Sequence, residues 1–163
     1  MISPKMQDAI NEQIKHELHS AYVYLAMSAY CEAQNLTGFA TWMRAQHQEE
    51  TGHGMKFFEH VVDRDGRVTL LALEQPPADF KSPLEMMQTA LGHERKVTGL
   101  VNRLYDLAVK EDDRPAQVLL DWFVAEQVEE EKTVTQIVEQ LKLIGDSGVG
   151  LLILDKEMGG RTA

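Results

Sequence analysis

The sequence predicts an all-α fold: a four-helix bundle with one long crossover and a short fifth helix at the end. Three observations predict it. Apolar residues recur every three or four positions through four long segments. Capping residues bracket each segment. Two of the connections are a few residues long and the middle one is much longer. At 163 residues the chain reads as a single domain, 1–163, long enough to bury a core without disulfide or metal staples.

Ser3 caps the first helix, and Pro4, whose ring fixes φ at a helical value, opens it; the pattern runs to about residue 33. Thr37 is placed to cap a second helix over about 37–64, closed by Asp65-Gly66. Ser82-Pro83-Leu84-Glu85 combines a capping box with proline at the first helical position, so a third helix starts there and reaches about residue 110. Acidic Asp112 and Asp113 precede Pro115, which opens a fourth helix over about 115–144 before Gly145. Ser147 then caps a fifth, over about 147–158, holding Val149, Leu151, Leu152, Ile153 and Leu154. Its glycine-rich flanks let it leave the bundle at an angle and bury against other chains.

The short first and third connections force antiparallel neighbours. Residues 65–82 can extend roughly 55 to 65 Å, more than the ~42 Å length of a helix of about 28 residues, so the second and third helices can run parallel. Val68, Leu70, Leu71 and Leu73 in that crossover need cover, which a subunit neighbour would supply.

Composition narrows the function classes. Hydrophobic residues at 44% and charged residues at 26% are ordinary for a soluble protein, and a net charge of -10 opposes a nucleic-acid surface while attracting cations. Cys31 stands alone, which excludes an intrachain disulfide and fits a reducing compartment; it reads as a small buried apolar residue. Residues 1–8 lack the basic flank and apolar run of a signal peptide, and no apolar stretch approaches the ~20 residues of a membrane span. The expected location is the cytoplasm, with no membrane partner.

The four inward stripes carry the chemistry. They read Ile10, Ile14, Glu17, Ala21, Tyr24, Ser28; Phe39, Met43, Gln46, Glu50, His53, Phe57; Leu84, Met87, Leu91, Glu94, Thr98, Val101; and Leu120, Phe123, Gln127, Glu130, Val134, Ile137, Leu141. Each has an acid where a bundle wants hydrocarbon, and none has a Lys or Arg to pair with it. A buried carboxylate is paired, protonated or metal-bound, so metal is the best partner. Glu17 lies thirteen residues beyond Pro4, Glu50 thirteen beyond Thr37, Glu94 twelve beyond Ser82 and Glu130 fifteen beyond Pro115. Equal depth in antiparallel helices places all four in one layer. Within helices, Glu50 and His53 form an E-x-x-H pair on one face, and Gln127 and Glu130 stand in the same relation.

Four carboxylates balance two divalent cations. Glu17, Glu50 and His53 can hold the first; Glu94, Glu130 and the second oxygen of Glu50 can hold the other, with Glu50 as the bridge. Oxygen-rich ligation with one imidazole suits Fe(II) or Mn(II), whereas structural zinc takes closed Cys/His sets. Tyr24, one heptad past Glu17, reads either as a core aromatic or as a redox partner beside the metals. Glu49, Glu126 and Glu129 adjoin ligand positions and form either a third, weaker cation site or a solvated acidic face. Trp42 and Trp122 read as packing residues, and His16, His19, His47, His60 and His93 as surface or helix-packing groups.

From Ser3 to Met158 the chain resembles the bacterial non-haem ferritins in helix order, crossover and fifth helix. Glu17, Glu50, His53, Glu94 and Glu130 match that family's dinuclear ferroxidase ligands, with Gln127 and Tyr24 as close neighbours, and Glu49, Glu126 and Glu129 match its additional iron site. The resemblance implies an iron-storing ferroxidase: a homo-oligomeric shell of 24 subunits that oxidises Fe(II) with dioxygen or peroxide and keeps ferric mineral inside. It implies no haem, because Thr51 stands where bacterioferritins have their haem-ligating methionine and the fourth helix lacks a second E-x-x-H. The acids that line the entry channel of many animal ferritins fall at Gln117 and Leu120, which leaves the iron entry route open. Two other readings stay open at this level: a di-iron peroxidase of the rubrerythrin type, against which stands the lack of Cys-x-x-Cys pairs, and a non-catalytic structural subunit, against which stands the glutamate set.

Overall fold

The computed structural model describes residues 1–160, and among them the chain forms five helices and no strand: α1 (Pro4–Ala33), α2 (Thr37–Asp63), α3 (Pro83–Lys110), α4 (Arg114–Ile144) and α5 (Gly148–Met158). Serine side chains cap three of them. Ser3 Oγ accepts from the Met6 amide at 3.2 Å, Ser82 Oγ from Glu85 at 3.1 Å, and Ser147 Oγ from Gly150 at 3.1 Å. The Glu85 carboxylate reaches back to the Lys81 amide at 2.6 Å, one residue beyond the partner a strict capping box would use. Asn35, Asp65 and Asp112, residue types that tolerate left-handed backbone, take φ of 59°, 57° and 49° at the three helix ends that turn, and Gly145 takes 56° where α4 stops.

Two starts differ from expectation. Thr37 is the first residue of α2 rather than its cap, because the preceding Leu36 is anchored in the core at 5% exposure. Leu36 has no capping side chain, and Asp155 of α5 supplies it instead, accepting from the Phe39 amide at 2.9 Å. Helix α4 starts at Arg114, one residue earlier than expected, since Asp113 caps it through the Ala116 amide at 3.1 Å. The same carboxylate receives Arg64 on both oxygens at 2.8 Å, tying the end of α2 to the start of α4.

Helix α5, expected to bury against other chains, is also partly buried within this one. It docks on α2 within this chain, burying Leu154, Asp155 and Met158. Gly38 makes that approach possible: a Cβ there would lie 1.6 Å from the Asp155 carbonyl oxygen. The other face, with Val149, Leu152 and Ile153 at 71%, 63% and 58% exposure, is left uncovered by this chain.

Helix α1 packs on α2, α3 on α4, and α1 on α3. Helices α2 and α4 meet through long side chains, including stacked Phe57 and Phe123 with ring centres 4.1 Å apart. The apolar core is in two parts. One contains Tyr24, Met27, Phe39, Met43, Met87 and Val134; the other contains Ile10, Ile14, Phe57, Val101, Leu120 and Phe123. Along α2 and α3 the first part precedes the second, and along α1 and α4 the order is reversed, so α2 and α3 run parallel. The crossover therefore spans the bundle length, with Val68 packed on the core and Leu70 66% exposed. Between the two apolar parts lies the polar layer.

Candidate metal centre

Each helix delivers its acid to that layer because hydrocarbon flanks it on the same stripe above and below. Glu17, Glu50, His53 and Glu94 are at most 3% exposed, and Glu130 is 6% exposed. His53 Nδ1 stands 3.4 Å from Glu50 Oε2 and 4.0 Å from Glu17 Oε2. Ligand atoms sharing one ion at about 2.1 Å each stand roughly 3 to 3.5 Å apart. One atom from each of Glu17, Glu50 and His53 falls within 4.8 Å of the others.

The hydrogen bonds of the layer leave specific atoms unsatisfied. Gln13 donates to Glu17 Oε1 at 2.6 Å, Gln46 to Glu130 Oε2 at 3.0 Å, Gln127 to Glu94 Oε2 at 3.3 Å, and the Tyr24 hydroxyl to Glu94 Oε1. Buried with no hydrogen-bond partner are Glu17 Oε2, His53 Nδ1 and Gln46 Oε1. Such atoms each cost on the order of 1–3 kcal/mol unless something else meets them. Two of the three point at the same spot, and both are lone-pair donors, which is the chemistry a divalent cation answers.

Electrostatics agree. Burial, and then the Glu50 carboxylate, hold Glu17 well above the usual carboxyl range. Burial, followed by Glu94 and Glu130, does the same to Glu50. Burial also raises Glu94, and burial with Glu94 and Glu49 pushes Glu130 to about 7. Glu50 thus feels acids from both halves of the layer, the position a bridging carboxylate would occupy. The Tyr24 phenol is raised by burial and by the neighbouring Glu94, so it stays protonated and donates.

A second cluster forms beside the first. Atoms of Glu49, His53 and Glu126 lie within 4.8 Å of one another, so His53 belongs to both groups. Glu129, expected with Glu49 and Glu126, is not in that cluster: it is exposed and pairs with Lys132 at 3.8 Å.

Residues 7–144 match the family of ferritin-like domains. A bacterial non-heme ferritin of Bacteroides fragilis is 42% identical over 161 residues, covering 99% of this chain and 100% of the relative. One from Staphylococcus aureus is 36% identical over 162 residues, covering 99% and 98%. The open-pore ferritin of the hyperthermophilic archaeon Archaeoglobus fulgidus superposes with a TM-score of 0.98 at 46% identity, covering 99% of this chain and 100% of that one. The chain belongs to the ferritin family. This ferritin is an iron-storage protein, and its buried carboxylate and imidazole cluster is compatible with the iron-binding, Fe(II)-oxidising character of the family in general terms.

Several residues that shape the ferritin's site were not singled out from the sequence. Gln13 and Gln46 orient Glu17 and Glu130. A signal existed for both: Gln46 is an amide on the inward stripe one turn before Glu50, and Gln13 sits four residues before Glu17. Trp122, expected only to pack, does so edge-on against the His53 ring at 5.4 Å, with Lys56 Nζ 4.5 Å above its own ring. Asp155 carried no sequence signal, because its partner amide is 116 residues away.

Proposed function

We propose that this chain is a ferroxidase subunit whose dinuclear site lies wholly within one chain, with Glu17, Glu50 and His53 holding one iron and Glu94, Glu130 and Glu50 the other. The observation that carries this is the pair of buried, unsatisfied lone-pair atoms, Glu17 Oε2 and His53 Nδ1, facing Glu50 in a layer without a basic side chain. The substrate is Fe(II). Two Fe(II) ions each give up one electron, and the two electrons reduce dioxygen to the peroxide level or cleave a peroxide to water. The position that includes the imidazole binds its ion more tightly than the all-oxygen one.

The protein's part is positional and protonic. Gln13 and Gln46 each hold one oxygen of Glu17 and Glu130 and leave the other for metal, while Tyr24 and Gln127 hold Glu94 through both of its oxygens. The raised carboxyls carry protons when metal is absent and release them as Fe(II) binds. Glu49 and Glu126, which share His53 with the dinuclear site, receive iron on its way out of it, and the exposed Glu129 is the outer acid of that route.

Assembly completes the function. The uncovered apolar face of α5 and the exposed Leu70 and Leu73 of the crossover fit burial between copies of this chain. We assign these faces to a homo-oligomeric, 24-subunit shell in the cytoplasm that keeps ferric mineral inside and carries no haem. Stopped-flow oxidation of added Fe(II), compared between wild type and Glu50→Ala, tests the site, and mass measurement of the iron-loaded particle tests the shell. The reading predicts rapid oxidation only in wild type and a particle of 24 chains. Equal initial rates would reject the site, and a monomeric particle without mineral would reject the storage shell.

A further inference from the structure

Three histidines on the solvent side of the α1–α3 seam have no part in the proposed function. His16 and His19 are one turn apart on α1, and His93 lies across from them on α3, with the ring centres of His19 and His93 6.0 Å apart and tilted by 53°. All three are half-buried. Their sequence neighbours Glu17 and Glu94 are turned inward at 1% exposure, so the cluster is separate from the dinuclear layer.

Ser20 determines how His93 presents itself. Its hydroxyl, 1% exposed, donates to the His16 carbonyl at 3.0 Å and lies 2.7 Å from His93 Nε2. A hydroxyl has one proton, so with that proton on the carbonyl the contact to His93 requires Nε2 to be the donor. In that tautomer Nδ1 keeps its lone pair, with no protein hydrogen bond among the described residues. Metal-binding imidazoles are prepared in this way, one nitrogen donating to a protein oxygen and the other presented to the ion.

The surrounding charges decide the class of ion. Glu12 and Lys15 flank His16, Glu74 faces His19, and Lys96 faces all three rings. Two acids against two lysines leave the pocket with no net charge to attract a hard cation, and Mg(II) or Ca(II) would want oxygen ligands that are not gathered here. Imidazole nitrogens select Zn(II), Cu(II) or Ni(II). Two bonds of about 2.1 Å plus the ring radii put the ring centres roughly 5 to 6.5 Å apart over ligand angles from about 100° to 180°, a range that includes the observed 6.0 Å.

We propose that His19 and His93 bind one divalent transition-metal ion of the imidazole-preferring class at the α1–α3 seam. The remaining positions on the ion are filled by water. The site needs no iron chemistry and stands whether or not the dinuclear assignment holds.

Cu(II) is the probe. The assembled wild-type protein and its His19→Gln and Ser20→Ala variants are titrated with Cu(II), and bound copper is followed by equilibrium counting and by electron paramagnetic resonance. The proposal expects one more Cu(II) per chain in wild type than in His19→Gln, with hyperfine splitting from at least two nitrogens that His19→Gln reduces. The dinuclear layer offers only the single imidazole of His53, so this splitting separates the two sites. Ser20→Ala, which frees the tautomer, is expected to weaken the extra ion about tenfold. Fe(II) oxidation by His19→Gln should match wild type, which shows that the variant is folded. Equal copper stoichiometry and unchanged splitting in His19→Gln would overturn the proposal, as would splitting from a single nitrogen in wild type.

Discussion

Gln46 and Glu130 lie 84 residues apart in the chain, and the Gln46 amide donates to Glu130 Oε2 at 3.0 Å across the gap between α2 and α4. The bond holds one oxygen of Glu130 and so fixes the orientation of its carboxylate. Gln46→Leu keeps the volume and removes the donor. It should slow Fe(II) oxidation by about 10- to 100-fold, the usual effect of removing a group that orients a metal ligand, while leaving the folded bundle intact. Stopped-flow rates alongside circular dichroism check both halves of this statement.

The raised acids make the metal-free protein less stable as pH rises. Between its ordinary value of 4.5 and about 7, folded Glu130 holds a proton that the unfolded chain has lost. The folded state binds more protons across that window, so stability is full below it, falls as pH climbs through it and levels off above. Glu17, Glu50 and Glu94 shift in the same direction and add to the slope. Thermal melts of metal-free protein from pH 5 to 8 should show a falling Tm in wild type and a flatter profile in Glu130→Gln. A Tm that rises through this range would contradict the assignment of protonated acids.

Fe(II) binding should displace those protons. Calorimetric titration under anaerobic conditions, in two buffers of different ionisation enthalpy, is expected to give different apparent heats, the difference measuring proton release. Identical heats in both buffers would mean that the empty site carries no protons to lose.

The docking of α5 rests on two residues and fails differently for each. Asp155→Ala removes the cap on the Phe39 amide and should cost about 1 kcal/mol. Gly38→Ala places a methyl 1.6 Å from the Asp155 carbonyl oxygen, a clash that only movement of α5 relieves. Faster proteolysis within 148–158 in Gly38→Ala, with α1–α4 intact, is the expected result by limited digestion and mass spectrometry.

Asp113 serves two partners, the Ala116 amide and the Arg64 guanidinium. Asp113→Ala removes a helix cap and leaves Arg64 without its carboxylate, so urea denaturation should show a loss of about 1 to 3 kcal/mol. A single guanidinium nitrogen, Nη1, reaches both Asp113 oxygens, so Arg64→Lys, which keeps one charged nitrogen, should cost less.

Much of this was legible in the sequence because helices repeat. The stripes through Ile10, Glu17 and Tyr24, or Phe123, Gln127 and Glu130, fix a face, and equal depth fixes a layer, so the buried acids could be gathered before any coordinates. The fold class, the parallel course of α2 and α3, and the family resemblance followed from the same periodicity and loop lengths. Contacts that depend on the third dimension without a periodic signal were hidden. Asp155 capping α2, Asp113 holding Arg64 and Gln46 reaching Glu130 join distant positions through single side chains. Thr37 was misplaced because local capping preference lost to the burial of Leu36. Glu129 was grouped with Glu49 and Glu126, yet its turn on α4 carries it to solvent.

The most direct test of the dinuclear assignment is anomalous diffraction at the iron edge from crystals soaked anaerobically in Fe(II). The account predicts two iron peaks inside each chain, one ligated by Glu17, Glu50 and His53 and the other by Glu94, Glu130 and Glu50. Iron confined to the surface, with those five side chains unchanged and nothing bound among them, would contradict it.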